Sequence, residues 1–276
     1  MTLRPGGNES MAVRHAAVKA PGERGTSAEW NAGHILDEGS GLGAACTLVV
    51  AASDSFDKSV ADYVCDGVND EVEINQALNA LPGFGGSVVL LEGTFYLGAA
   101  IVNTKEGVRL SGQGKSTVIT TSVNGITLIT SNDWSYFQAG GFTLKGPAFP
   151  TTASGIIVTG GTYCLFRDIW AYGRLAYLIR FDLVGLCKIE NIFEGFIDFS
   201  LISINDSSYN IISNCHSDGI EIRISNDSNR NLIKGNMVQK IRIQHAACDD
   251  NVVHGNLMDE WVDGGTNTMD WDNYVF

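Results

Sequence analysis

The chain has 276 residues, 44% hydrophobic and 18% charged, which excludes both a disordered polymer and a membrane-embedded protein. Its formal net charge is −13, so nucleic acid and anionic lipid, both bound through phosphates, are not expected partners. Six cysteines without a C-x-x-C pair are too few for a disulfide scaffold and read as buried free thiols.

Residues 1–45 are rich in Gly, Ala, Glu and Arg and lack sustained periodicity. They read as an extended arm with one short helix near Ser27–Ile35, ordered only against a partner surface. The opening residues carry no secretory signal, which predicts folding in a cytoplasm. The longest apolar run, Leu42 to Ala52, is too short to span a membrane and is broken by Thr47.

Residues 46–106 read as a capping region. Cys46 to Val50 is a strand candidate. In the acidic run that follows, Asp70 and Glu73 have capping-box spacing, and Ile74, Ala77, Leu78 and Leu81 form an amphipathic stripe. This predicts a helix over 70–81, ended by Pro82-Gly83. A calcium loop would need more alternating oxygen ligands. Short strands follow at Ser87–Leu91, Thr94–Leu97 and Gly107–Leu110.

Residues 107–265 repeat every 20–23 residues. One Asn column runs Asn210, Asn231, Asn251; a second runs Asn191, Asn214, Asn236, Asn256, with Asp168 before it. Cys164 and Cys187 are also one step apart. Between the columns, Ile220-Glu-Ile-Arg-Ile224 and Ile241-Arg-Ile243 point Ile inward and Glu221, Arg223 and Arg242 outward. One coil cannot bury its own apolar face, so coils must stack, and Asn at corners tolerates left-handed backbone. An antiparallel sandwich would not hold Asn at a fixed step. The predicted fold is all-β: a right-handed, single-stranded parallel β-helix with an N-terminal capping helix and an extended arm. Residues 266–276 form an aromatic tail with Trp271, Tyr274 and Phe276 that closes the last coil or meets another subunit.

Two resemblances sit on these residues. Ala61 to Leu78, Gly86 to Leu97 and Val108-Arg-Leu-Ser-Gly-Gln-Gly114 resemble the opening of pectate-lyase-superfamily right-handed β-helix proteins, over about residues 47–265. Thr26-Ser-Ala-Glu-Trp-Asn-Ala-Gly-His-Ile35 is similar to N-terminal segments of bacteriophage and other viral tail-fibre proteins. The tail-spike resemblance implies a homotrimer, attached to other virion proteins through residues 1–45 and presenting the β-helix to host-surface polysaccharide. The protein would be made in the host cytoplasm and reside in the virion.

Enzymes on this fold use clustered Asp with an Arg base, or paired Asp with Gly-His-Gly and Arg-x-Lys segments. Those segments are missing here, so the family's catalytic residues do not carry over. Carboxylates with the spacing to pair across coils are Glu190, Glu194, Asp198, Asp218 and Glu221, against the ordinary reading of solvated faces. His216, His245 and His254 lack an acidic orienter in sequence. Gly114-Lys115-Ser116 echoes a phosphate loop, but position 109 is Arg109 rather than Gly. Trp134, Tyr136, Trp170 and Tyr172 are candidate sugar platforms, with core packing and subunit contact as the competing reading. No cofactor motif and no metal site is read. A tail-fibre-type structural protein leads; a polysaccharide lyase or hydrolase and a microbial surface-layer or adhesion module are the alternatives.

Overall fold

A computed structural model of the chain describes residues 47–148, 152–195, 200–217 and 219–275. The arm at 1–45, and with it the segment 26–35, lies outside these residues.

Two parallel sheets carry the fold. The first follows the order β2 (Tyr63–Val64), β1 (Thr47–Ala51), β3 (Gly86–Leu90), β6 (Val108–Ser111), β9 (Gln138–Lys145), β11 (Leu165–Tyr172), β13 (Lys188–Glu194) and β15 (Ile211–Ser213), then β17 (Leu232–Lys234), β19 (Val252–His254) and β21 (Met269–Trp271). β4 (Gly93–Leu97) and β7 (Thr117–Thr121) join it beside β9. The second runs from β5 (Ile101–Asn103) through β8 (Thr127–Asn132), β10 (Ala153–Thr159), β12 (Leu175–Asp182), β14 (Ser200–Asn205) and β16 (Ile220–Ser225) to β18 (Met237–Ile243), β20 (Leu257–Asp263) and β22 (Tyr274–Val275). In the coil body strands alternate between the sheets, so each circuit is one coil of a right-handed β-helix. The solenoid starts earlier and ends later than 107–265: β1 and β3 already belong to coils, and the aromatic tail forms the strands β21 and β22.

Strand alternation fills the interior. Ile179, Ile202, Ile222 and Ile241 are register partners in the second sheet, as are Phe181, Ile204, Ile224 and Ile243, and all eight are fully buried. Each such side chain contributes about 1.5–3 kcal/mol relative to exposure. The residues between them face outward, which sets up the surface described below.

The Asn columns form hydrogen-bonded ladders. The Oδ1 of Asn231 accepts the backbone N–H of Asn210 at 2.9 Å, and the Oδ1 of Asn251 accepts that of Asn231 at 2.9 Å. The same ladder continues upward through thiols: Asn210 accepts from the Cys187 N–H, and the Cys187 Sγ accepts from the Cys164 N–H. The second ladder differs from the expected column. Its rungs are Cys215, Asn236, Asn256 and Asn273, joined at 2.9–3.0 Å. Asn191 and Asn214 stand one position earlier, at corners with φ +54° and +55°, in register with Asp168, Gly235 and Gly255. Two adjacent columns both favour Asn, one for buried hydrogen bonding and one for left-handed backbone, and a step of 22 residues merged them. The five described cysteines are buried free thiols.

Another left-handed corner column runs Tyr136, Tyr163, Leu186, Tyr209, Arg230, Asp250, Asn267. Its intervals are 27, 23, 23, 21, 20 and 17 residues, so the coils shorten toward the C-terminus.

The capping helix α1 spans Glu71–Ala80 and buries Ile74, Ala77 and Leu78 against the first coil, with Leu81 just beyond it. The expected capping box does not form. Asp70 makes no side-chain cap; its two carboxylate oxygens accept the N–H groups of Gly67 (2.8 Å) and Tyr96 (2.7 Å), tying the helix start to β4. Lys105 closes the other end, its Nζ donating to the Asn79 and Leu81 carbonyls, where a positive charge complements the negative end of the helix dipole. Gly114–Ser116 is a 3-10 turn at a coil corner.

Candidate functional site

The outer face of the second sheet gathers charge. Arg180, Ser203, Arg223 and Arg242 are register partners on four successive strands, β12, β14, β16 and β18. Beside them a polar groove of ≈ 270 Å³ crosses the four coils, lined by Tyr177, Arg180, Asp182, Asn205, Arg223 and His245, among others.

The carboxylates nearest this arginine column have fixed partners. Asp182 receives the Arg180 guanidinium at 2.8 Å and the Asn205 amide at 2.9 Å. Asn205 in turn accepts from the Ser203 and Ser225 hydroxyls. Glu221, almost fully buried, is held by Arg223 at 2.9 Å and faces Arg242 at 3.5 Å. The Arg180 guanidinium lies over the Tyr177 ring at 5.1 Å. The groove therefore offers many oriented donors and acceptors, with Arg180 held by Asp182 and Arg223 by Glu221. Such a surface suits a ligand rich in hydroxyl groups.

The two catalytic candidates whose side chains are described, Glu190 and Glu221, do not converge. Glu190 lies on the first sheet, paired with Lys188, whereas Glu221 lies on the second. Asp198 and Asp218 fall outside the described residues. Glu194 ends β13, and its side chain is also outside the description. His245 lines the groove, while His216 and His254 stand on the first-sheet side, near Phe193 and Trp271. Arg180, Asp182 and Asn205 had no local motif to flag them. They meet only because coils of similar length superpose.

The aromatic candidates divide. Trp134 and Tyr136 lie at the start of the corner column, where Tyr136 stacks on Tyr163 at 5.2 Å. Trp170 sits on the first sheet with Lys115 5.6 Å from its centroid and Phe193 stacked at 5.9 Å. Those contacts come from coils on either side, Lys115 reaching from two coils before and Phe193 from the next, so its ring faces are taken. Tyr172 closes β11 against Gly195.

Among the described residues one group, Cys65, Asp70 and Glu73, brings three metal-ligand atoms within 4.8 Å of one another. Burial pushes the Cys65 thiol strongly upward, with Asp70 adding to it, and so keeps it protonated. Burial likewise raises the Asp70 carboxyl. Both Asp70 oxygens are already engaged by backbone, so the cluster reads as the helix anchor.

No protein-family model matches the sequence, and no curated protein matches it. Among solved structures, ORF18 of Geobacillus virus E2 superposes at TM-score 0.54 and 14% identity, over 73% of this chain and 56% of that one. The chain thus spans just over half the length of the viral protein. The alginate lyase from Paenibacillus sp. str. FPU-7 superposes at TM-score 0.54 and 15% identity, covering 77% and 76%. These likenesses show a shared fold, the parallel β-helix. A third β-helix, the Dettilon tailspike protein, matches over 70% of this chain and 51% of that one at 16% identity, but its TM-score of 0.35 is too low to carry weight.

Proposed function

We propose that this β-helix is a tail-spike-type structural protein of a virus particle, anchored through residues 1–45, whose second-sheet groove holds a host-surface glycan. The observation that carries the reading is the groove itself: four coils, a column of arginines, and carboxylates locked into arginine and amide pairs. Locked carboxylates orient a ligand but are poorly placed to donate or take up protons. The shared fold with a viral protein and with a polysaccharide-cleaving enzyme is compatible with this reading and does not choose between retention and cleavage.

The test is a panel of host-surface polysaccharides incubated with the full chain. Retention on immobilised glycan is expected, without new reducing ends or unsaturated products. Arg223→Ala should weaken retention about tenfold, the scale of one or two charge-assisted hydrogen bonds. Release of oligosaccharide products would move the protein to the enzyme class. Retention unchanged by Arg223→Ala would move the binding surface elsewhere.

A further inference from the structure

On the first sheet, Leu110, Ala139 and Phe166 are buried, so their strand neighbours on either side face outward. One outward column runs Arg109, Gln138, Leu165, and the next runs Ser111, Gly140, Arg167. Gly140 has no side chain to fill its rung, and Gly141 follows it. A cavity of ≈ 90 Å³ opens there, lined by Arg109 and Ser111 from one coil, Gln138 from the next, and Arg167 and Asp168 from the third. The coils pack so closely at Gly140 that a Cβ would come within 1.8 Å of the Arg167 carbonyl oxygen. The path of the backbone therefore fixes the notch, and no movable side chain closes it.

The two arginines are weakly committed. Arg109 is exposed and makes no hydrogen bond or ion pair among the described residues. Arg167 has one ion pair, from its Nε to Asp168 at 3.8 Å, with both side chains nearly half exposed. Such a pair is worth little. In the second-sheet groove, by contrast, Arg180 and Arg223 are held by carboxylates at 2.8 and 2.9 Å. In a chain of net charge −13, the notch is a place where positive charge exceeds negative. Arg109 and Arg167 start two coils apart, about 10 Å along the axis, a span that two extended arginine side chains can close.

These features select a ligand by charge, size and shape. Arginines repel a cation, and the volume suits a single small group. A planar carboxylate is satisfied by donors lying in one plane. Here the donors are spread over three coils: Arg109 and Ser111, then Gln138, then Arg167. That distribution matches oxygens arranged in three dimensions. We propose that the notch binds a tetrahedral oxyanion, phosphate or sulfate, as the free ion or as the terminal ester of a larger molecule. The site lies on the first sheet and does not depend on a glycan in the second-sheet groove.

Isothermal titration of the full chain with inorganic phosphate, in low-salt buffer, tests this. One site per chain is expected, with a Kd of ~1 mM, the range of a few charge-assisted hydrogen bonds in water. Arg109→Gln should weaken binding about tenfold, with the melting temperature in the absence of phosphate unchanged. Arg167→Gln should weaken it similarly. Arg223→Ala should leave phosphate binding intact, so failure here and failure of glycan retention read out separately. Sulfate should displace phosphate, and acetate should not. Glucose 6-phosphate bound as tightly as phosphate marks an ester as the ligand, and phosphate bound without it marks the free ion; either result keeps the assignment. Absence of saturable phosphate binding up to ~20 mM overturns the proposal. So does binding that survives both arginine substitutions, or acetate that competes as well as sulfate.

Discussion

Asn231 shows how single residues hold the coils in register. Its Oδ1 accepts from the Asn210 backbone and amide, and its own Nδ2 donates to the Ser207 carbonyl and to Asn251. Asn231→Ala would strand the Asn210 N–H and the Ser207 carbonyl in a dry interior. A loss of about 3 kcal/mol is expected, seen as a lower urea midpoint with an unchanged m-value. The neighbouring ladder begins at Cys215, whose thiol burial pushes up from 9.0 to about 12. The folded state therefore keeps a proton that the unfolded state releases between pH 9 and 12. Stability is full below pH 9 and falls through that window by about 1.4 kcal/mol per pH unit for this thiol. Cys215→Ala should flatten the slope of stability against pH by about one proton. The Asn at these positions were legible in the sequence, because a polar residue that recurs at a fixed step implies that the steps stack. Their assignment to interior or corner was not, since one residue of offset exchanges the two and the step itself drifts.

At the scale of elements, α1 shows what local pattern can and cannot reveal. The stripe Ile74, Ala77, Leu78, Leu81 marks the helix and its buried face, and all four are buried. The helix start departs from the pattern because Asp70, three residues before Glu73, only mimics a capping box. Its partners are Gly67 and Tyr96, the second of them 26 residues away. Long-range anchoring leaves no mark in a short window. Asp70→Ala should loosen the helix start from β4, leaving the Asp70 N–H to Tyr96 and Gly98 to Glu71 bonds, and cost about 2–3 kcal/mol for the two unpaired N–H groups. Amide exchange should quicken in α1 and β4 and remain unchanged from β14 onward, since coils couple only to their neighbours.

For the whole molecule, the two sheets present different chemistries. The second carries the arginine column and the groove, and the first carries the Lys188–Glu190 pair and the stacked Trp170 and Phe193 rings. Neither surface was legible from sequence as a site. Glu221, Arg223 and Arg242 were read as outward-facing, but Arg180 and Asp182 lie two coils away, and nothing local ties them together. The coil repeat was legible because it imposes stacking; the surface was not, because any polar residue satisfies an outward position. Shorter coils also enclose less core, so amide protection should decline from β12 toward β20, a gradient that native-state hydrogen exchange would record.

The changing coil length also decides where such a molecule can be extended. A duplicated coil fits only between neighbours of equal circumference. That condition is met at Tyr163, Leu186 and Tyr209, where two 23-residue intervals adjoin. Copying residues 164–186 in place would add one turn and keep the thiol–Asn ladder unbroken. Nearer the C-terminus, where intervals shrink from 21 to 17, the same operation would set unequal perimeters face to face. Growth by duplication is therefore confined to the middle of the solenoid.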